Sequence, residues 1–397
     1  MTLDEADRAA LRELAGTLAA ALATPARVRA AMDAGGRPDR ELDAELASTG
    51  LWGLEAPEEY GGGGASFHEL ATVLQELGAR AAPSRLTTSA VLCAGAVLLG
   101  GTAAQRERWL PALAAGQAYG TAALTEWCAT TPPTGRVQAE RHGSGWVLRG
   151  AAAHVLDARV SDLLVVPAVA GPDSLVAVVP SRAGGVATRP VAMTDGTRCA
   201  DHVTLDGVSV PDADVLAVGS DADRLIAALV NRAAAAIAAD SAGNAQRVLA
   251  MTVGYAGERQ QFGRPIGSFQ AVKHQAADML VNAETAAALL DAAVREAAAE
   301  PAECEVAVSM AKEYGCERAA ANAGTALQLH GGIGYTWEHD LHIYLKRAKL
   351  NEFLFGDGRW HRARVARSLV RRAGPPAGLS SSGPGERNNG ASAITTR

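Results

Sequence analysis

The chain has 397 residues, 48% of them hydrophobic and 20% charged, enough for two or three packed domains. Its formal net charge of −6 argues against nucleic acid as a partner, since phosphate backbones need a basic surface. Five cysteines without C-x-x-C spacing, an acidic N-terminus (Asp4, Glu5, Asp7) and no uninterrupted apolar run near 18 residues point to reduced thiols in the cytoplasm, no leader and no membrane span.

Residues 1–118 read as helices. Leu11, Leu14, Leu18 and Leu22 recur at helical spacing, as do Leu70, Val73, Leu74 and Leu77. Between the two runs, the four glycines and Pro57 of the stretch 55–64 break any helix. Residues 119–220 change character. Short β-branched runs at Val147–Leu148, 163–166 and 175–179, punctuated by glycine, predict a compact β-barrel or sandwich. Residues 221–372 return to long alanine-rich helices, predicted from about Asp223 to Glu258, from after Pro265 to Ala299, from Ala302 to His330, and from near Glu338 onward. Residues 373–397 are rich in Gly, Pro, Ser and Asn, and are expected to be a disordered tail.

Two segments carry chemistry. Arg259 to Gln270 (R-Q-Q-F-G-R-P-I-G-S-F-Q) puts an arginine before a Phe-Gly turn. Guanidinium suits a pyrophosphate, although an isolated turn of this kind is more often a plain connection with a surface arginine. Gln328 to Leu345 contains Gly331, Gly332 and Gly334, which let backbone approach a ligand, and His330, His339 and His342. The histidine spacing is not that of a compact metal site, so capping and surface packing are expected and no metal.

Together the segments resemble one family. R-x-x-F-G-x-P-I-x-x-F-Q-x-x-K, followed about sixty residues later by Q-x-H-G-G-x-G-Y, is similar to the C-terminal half of an acyl-CoA dehydrogenase. P-E-E-Y-G-G-x-G at 57–64, G-x-x-x-Q-x-x-x-W-L-P-x-L-x-x-G at 101–116 and A-L-T-E at 123–126 agree in order. The resemblance spans about residues 1–370. It implies an α+β fold with an N-terminal helical domain, a middle β-barrel domain and a C-terminal four-helix bundle. It also implies FAD, an acyl-CoA or carrier-bound acyl thioester as substrate, and α,β-desaturation with hydride passing to the flavin. The assembly would be a homotetramer, or a heterotetramer with a paralogous subunit, and an electron-transferring flavoprotein is the family expectation for the acceptor. By the same resemblance Arg259, Phe262, Gln270, Gln328, Gly331 and Gly332 hold the ADP half of FAD across a subunit interface, and Thr125 contacts the isoalloxazine.

The departures are as informative. Removing a proton α to a thioester needs a base, yet the family's glutamate positions read Phe355 and Ala233 here. Asp357, two residues on, is the best remaining candidate, with capping of the next helix as its ordinary role; Glu352 and Asp240 are weaker ones. The flavin-loop pattern T-E-P-x-x-G-S-D reads Thr125-Glu126-Trp127-Cys128 with no Gly-Ser-Asp. The strand that usually offers Trp and Ser or Thr reads His154-Val155-Leu156-Asp157. Two readings follow: an active dehydrogenase with a displaced base, or a non-catalytic subunit that completes a partner's FAD site.

Overall fold

The computed structural model describes residues 4–131 and 134–373. The expected tail therefore lies, from residue 374, outside the described residues.

Helices come first: α1 (Glu5–Leu22), α2 (Pro25–Asp33), α3 (Arg40–Ser48), α4 (Phe67–Gly78), a π-helical stretch (Thr87–Ala94) running into α5 (Gly95–Gly100), and α6 (Ala103–Ala114). Side-chain caps start them. Asp4, Thr24 and Asp39 accept backbone N–H groups, and Ser66–Glu69 and Thr102–Gln105 form capping boxes. Leu70, Val73, Leu74 and Leu77 are all buried as their spacing predicts. In α1 the period is right but the stripe is shifted: Leu11, Ala15 and Ala19 are buried, while Leu14 is 42% exposed.

Strands follow: β1 (Gly120–Ala122), β2 (Gln138–His142), β3 (Gly145–Leu156), β4 (Leu163–Ala170), β5 (Asp173–Pro180), β6 (Val186–Val191), β7 (Ala200–Pro211) and β8 (Val215–Val218). They form one sheet in the order β6-β7-β3-β2-β4-β5-β8, with β1 parallel to β4. The pairing is an open path with β6 and β8 as its ends, where a closed barrel would join them. Its apolar side chains make a separate core around Leu148, Leu164, Val166, Ala177 and Val208.

The last part comprises α7 (Ser220–Glu258), α8 (Gln270–Ala299), α9 (Glu305–His330), α10 (Leu341–Asn351) and α11 (Gly358–Ala373). The predicted starts are a few residues off: 3-10 turns at 266–268 and 331–335 delay α8 and α10. Among the described residues there are five helices rather than four, with α9 in contact with the other four. By length and composition α7 could cross a bilayer, which the sequence reading missed, but 94% of its most apolar window is buried in this fold. Its small residues allow that. A Cβ on Gly243 would lie 1.9 Å from the Gln75 carbonyl, and one on Gly78 2.3 Å from that of Asp240, so α4 and α7 cross backbone to backbone.

Candidate functional site

A cleft of about 740 Å³ opens between the sheet and the turn joining α10 to α11. One wall carries Thr125, Cys128 to Thr131, His154 and Ala192 to Thr194; the other carries Leu350, Phe353 to Asp357, Arg359 and Trp360. Its volume suits a drug-sized or cofactor-sized ligand. The floor is apolar, with threonine hydroxyls, His154, Asp357 and Arg359 as its polar points. His154 has φ +52 at an irregularity where the β3–β7 register shifts between Ala152 and Val155. The N–H of Ala153, lost to the ladder there, donates to buried Glu126 at 2.8 Å.

The structure sorts the carboxylates. Phe355 lines the cleft in a left-handed conformation (φ +54), and Ala233 is wholly buried on α7. Asp240 is no base. Burial works against its charge, but the guanidinium groups of Arg347 and Arg198 outweigh that and hold it well below the usual carboxylate range. Arg347 Nε and Arg198 Nη2 both lie 3.1 Å from it, and Asn351 Nδ2 donates to it at 2.8 Å. Glu352 pairs with Lys349 at 3.1 Å and does not line the cleft. Asp357 does line it and is exposed, and its Oδ1 accepts the Trp360 N–H at 2.7 Å, the cap of α11. The ordinary role expected of Asp357 is thus present, and Oδ1 is committed to it.

The remaining candidates lie elsewhere. Arg259 ends α7, Phe262 tips a two-stranded hairpin, Gln270 starts α8, Gln328 sits in the last turn of α9, and Gly331 and Gly332 follow it. None of them lines the cleft. Tyr255, which the sequence reading passed over, joins the two segments through His330. The Tyr255 ring stacks on His330 at 4.2 Å, and Tyr255 Oη donates to the His330 carbonyl at 3.3 Å. That seats the Arg259 end of α7 beside the Gly331–Gly332 turn. The one available signal was an aromatic one helical turn before Arg259. His339 lies 4.8 Å from His330 and His342 4.5 Å from Trp337, an aromatic packing cluster; among the described residues no three His, Cys, Asp or Glu side chains gather as a metal site.

This second set fits the ADP half of FAD. Arg259 is exposed and forms no ion pair among the described residues, Phe262 is 92% exposed, and a Cβ at Gly331 or Gly332 would meet nothing. These are donors and open backbone turned outward. Of the strand His154-Val155-Leu156-Asp157, which lacks the family's usual Trp and Ser or Thr, His154 alone lines the cleft.

Comparison with known proteins shows the family. Residues 5–117 match the family described as acyl-CoA dehydrogenase, N-terminal domain, and residues 224–370 match acyl-CoA dehydrogenase, C-terminal domain. The chain is 34% identical to the acyl-CoA dehydrogenase FadE34 of Mycobacterium tuberculosis over 81% of its own length, and spans only 41% of FadE34. It is 31% identical to the acyl-CoA dehydrogenase FadE27 of the same organism, over 90% of this chain and 95% of FadE27. The crystal structure of the ChsE4-ChsE5 complex from Mycobacterium tuberculosis superposes with a TM-score of 0.85 at 32% identity, covering 94% of this chain and 99% of that one. Two domain matches, near full-length identity above 30% and the same α–β–α order place this chain in the acyl-CoA dehydrogenase family of FAD-binding oxidoreductases.

Proposed function

We propose that this chain oxidises an acyl-CoA or carrier-bound acyl thioester at the α and β carbons. The observation that carries this is convergence: Thr125, the ring-side candidate, and Asp357, the remaining carboxylate candidate, line one cleft although 232 positions separate them. FAD, when bound, supplies the acceptor for the β-hydride. Asp357 takes the α-proton on Oδ2, Oδ1 being held by the Trp360 N–H. The apolar floor of Leu350, Leu354, Phe355 and Met193 excludes water from the acyl group. Arg259, Gln270 and Gln328 hold the ADP half at an interface with another subunit, in a homotetramer or a heterotetramer. An electron-transferring flavoprotein accepts the electrons, the acyl thioester substrate puts the chain in fatty acid metabolism, and the five buried free cysteines suit the cytoplasm.

A second reading has its own support. Phe355 and Ala233 occupy the family's base positions, and Asp357 already caps α11. Under it the chain is a non-catalytic subunit whose outward-facing set completes a partner's FAD site. Flavin per subunit, measured on the chain expressed alone, separates the two. Near one FAD per chain, with turnover abolished in Asp357→Asn, supports the first, since asparagine still caps the helix. No flavin even after adding FAD supports the second.

A further inference from the structure

Lys312 sits on α9 at 1% exposure, and its Nζ has no carboxylate partner among the described residues. It donates instead to two backbone carbonyls of the α10–α11 turn, Gly356 O at 2.9 Å and Glu352 O at 3.3 Å. A buried cation without a counter-charge is costly, so its retention calls for a return elsewhere. The same turn is held from a second side. His361 is fully buried, with Nε2 3.2 Å from Phe355 O and Nδ1 3.1 Å from Ser309 Oγ. Burial, with Lys312 and Arg364 nearby, pushes its pKa down to about 2, so it is neutral. A carbonyl only accepts, so the ring proton is on Nε2 and donates to Phe355, and Nδ1 accepts from Ser309. Three consecutive features of the turn thus depend on these anchors: Phe355 in a left-handed conformation, Gly356 at φ +105, and Asp357 capping α11. A Cβ on Gly356 would lie 2.5 Å from the Trp360 ring and 2.9 Å from His361 Nε2, so the turn has one way to fit.

We propose that Lys312 is a positioning residue: its ammonium, with His361, binds the carbonyls of the turn and thereby presents Phe355 and Asp357 to the cleft. That this matters for the acyl chemistry rests on the function proposed above; that it shapes the cleft does not. Hydrogen exchange on the flavin-free chain tests the second point directly. In Lys312→Met, a near-isosteric change that removes the charge and both bonds, exchange across residues 353–358 rises about tenfold or more, while residues 255–270 are unchanged. Lys312→Gln, which keeps one neutral donor and serves if the first variant does not fold, shows a smaller rise in the same segment. Unchanged exchange at 353–358 in a folded variant, or a rise of equal size at 255–270, overturns the proposal. If the wild-type chain takes up FAD, Lys312→Met alters the visible circular dichroism of the bound flavin without lowering its stoichiometry. If the wild type takes up none, the function proposed above fails while the exchange result still decides the role of Lys312.

Discussion

The cleft and the outward-facing set differ in almost every physical respect. The cleft is walled by two distant parts of the chain and braced from behind by buried polar groups. The other set is a row of exposed residues on helix ends: Arg259 without an ion pair among the described residues, Phe262 at 92% exposure, Gly331 and Gly332 in open space. The difference teaches that the cleft is shaped by folding alone, whereas the exposed set, under the function proposed above, would be completed by another subunit.

Four changes would break or sharpen that contrast. The largest effect is expected from Phe355→Glu, which puts a carboxylate into the cleft wall where an aromatic ring now stands. Acyl-CoA-dependent bleaching of bound flavin should speed up by about 10²–10⁴-fold; no gain would mean that the reacting carbon is not held against this wall. Asp240→Ala leaves Arg347 and Arg198 buried without their partner and should cost about 3–5 kcal/mol in denaturant unfolding. A loss below roughly 1 kcal/mol would free Asp240 for another role.

The third concerns Asp157, at the end of the strand that carries His154. Burial raises its pKa from 3.8 to about 6, against bonds from Thr88 Oγ1 at 2.8 Å and Cys199 Sγ. A carboxyl that holds its proton more tightly folded than unfolded stabilises the fold while protonated. Its contribution is complete below pH 3.8 and lost as pH rises through about 6. Asp157→Asn should therefore flatten the pH dependence of stability over that window by roughly 3 kcal/mol. Parallel stability profiles for wild type and variant would remove the assignment. The smallest effect is Arg259→Ala, which should weaken FAD binding by about ten- to a hundredfold and leave the spectrum of the flavin still bound unaltered. Unchanged affinity in equilibrium dialysis would take the pyrophosphate away from Arg259.

The sequence was most legible where one local signal decides the outcome. The periodic leucines of α4, the β-branched runs of β4 and β5, and the long alanine-rich helices are where they were expected, because each depends on its own spacing. Strand β6 was missed because its residues are mostly exposed and include Arg189 and Pro190, so no apolar alternation marks it. Leu14 was misplaced because alanine buries as readily as leucine in a tightly packed helix pair, and periodicity alone does not choose between adjacent stripes. In the site, motif residues such as Arg259 and Gly331 could be named from their neighbours in sequence. Lys312, His361 and Tyr255 could not, since their roles depend on backbone carbonyls reached only in the folded chain: Phe355 O for His361, 6 positions away through a tight turn, Gly356 O for Lys312, 44 away, and His330 O for Tyr255, 75 away, through packing of separate helices.

Asp240 has a mechanical consequence. Its two arginines come from different bodies: Arg198 from the sheet region before β7, Arg347 from α10, which leads into the far wall of the cleft. Arg347 also reaches across to Thr197 Oγ1 at 2.9 Å, and Asn351 ties the end of α10 to the same carboxylate. One buried anion on α7 therefore rivets together the two walls of the cleft. Widening the gap means breaking the rivet, so these bonds resist a hinge motion between the two walls.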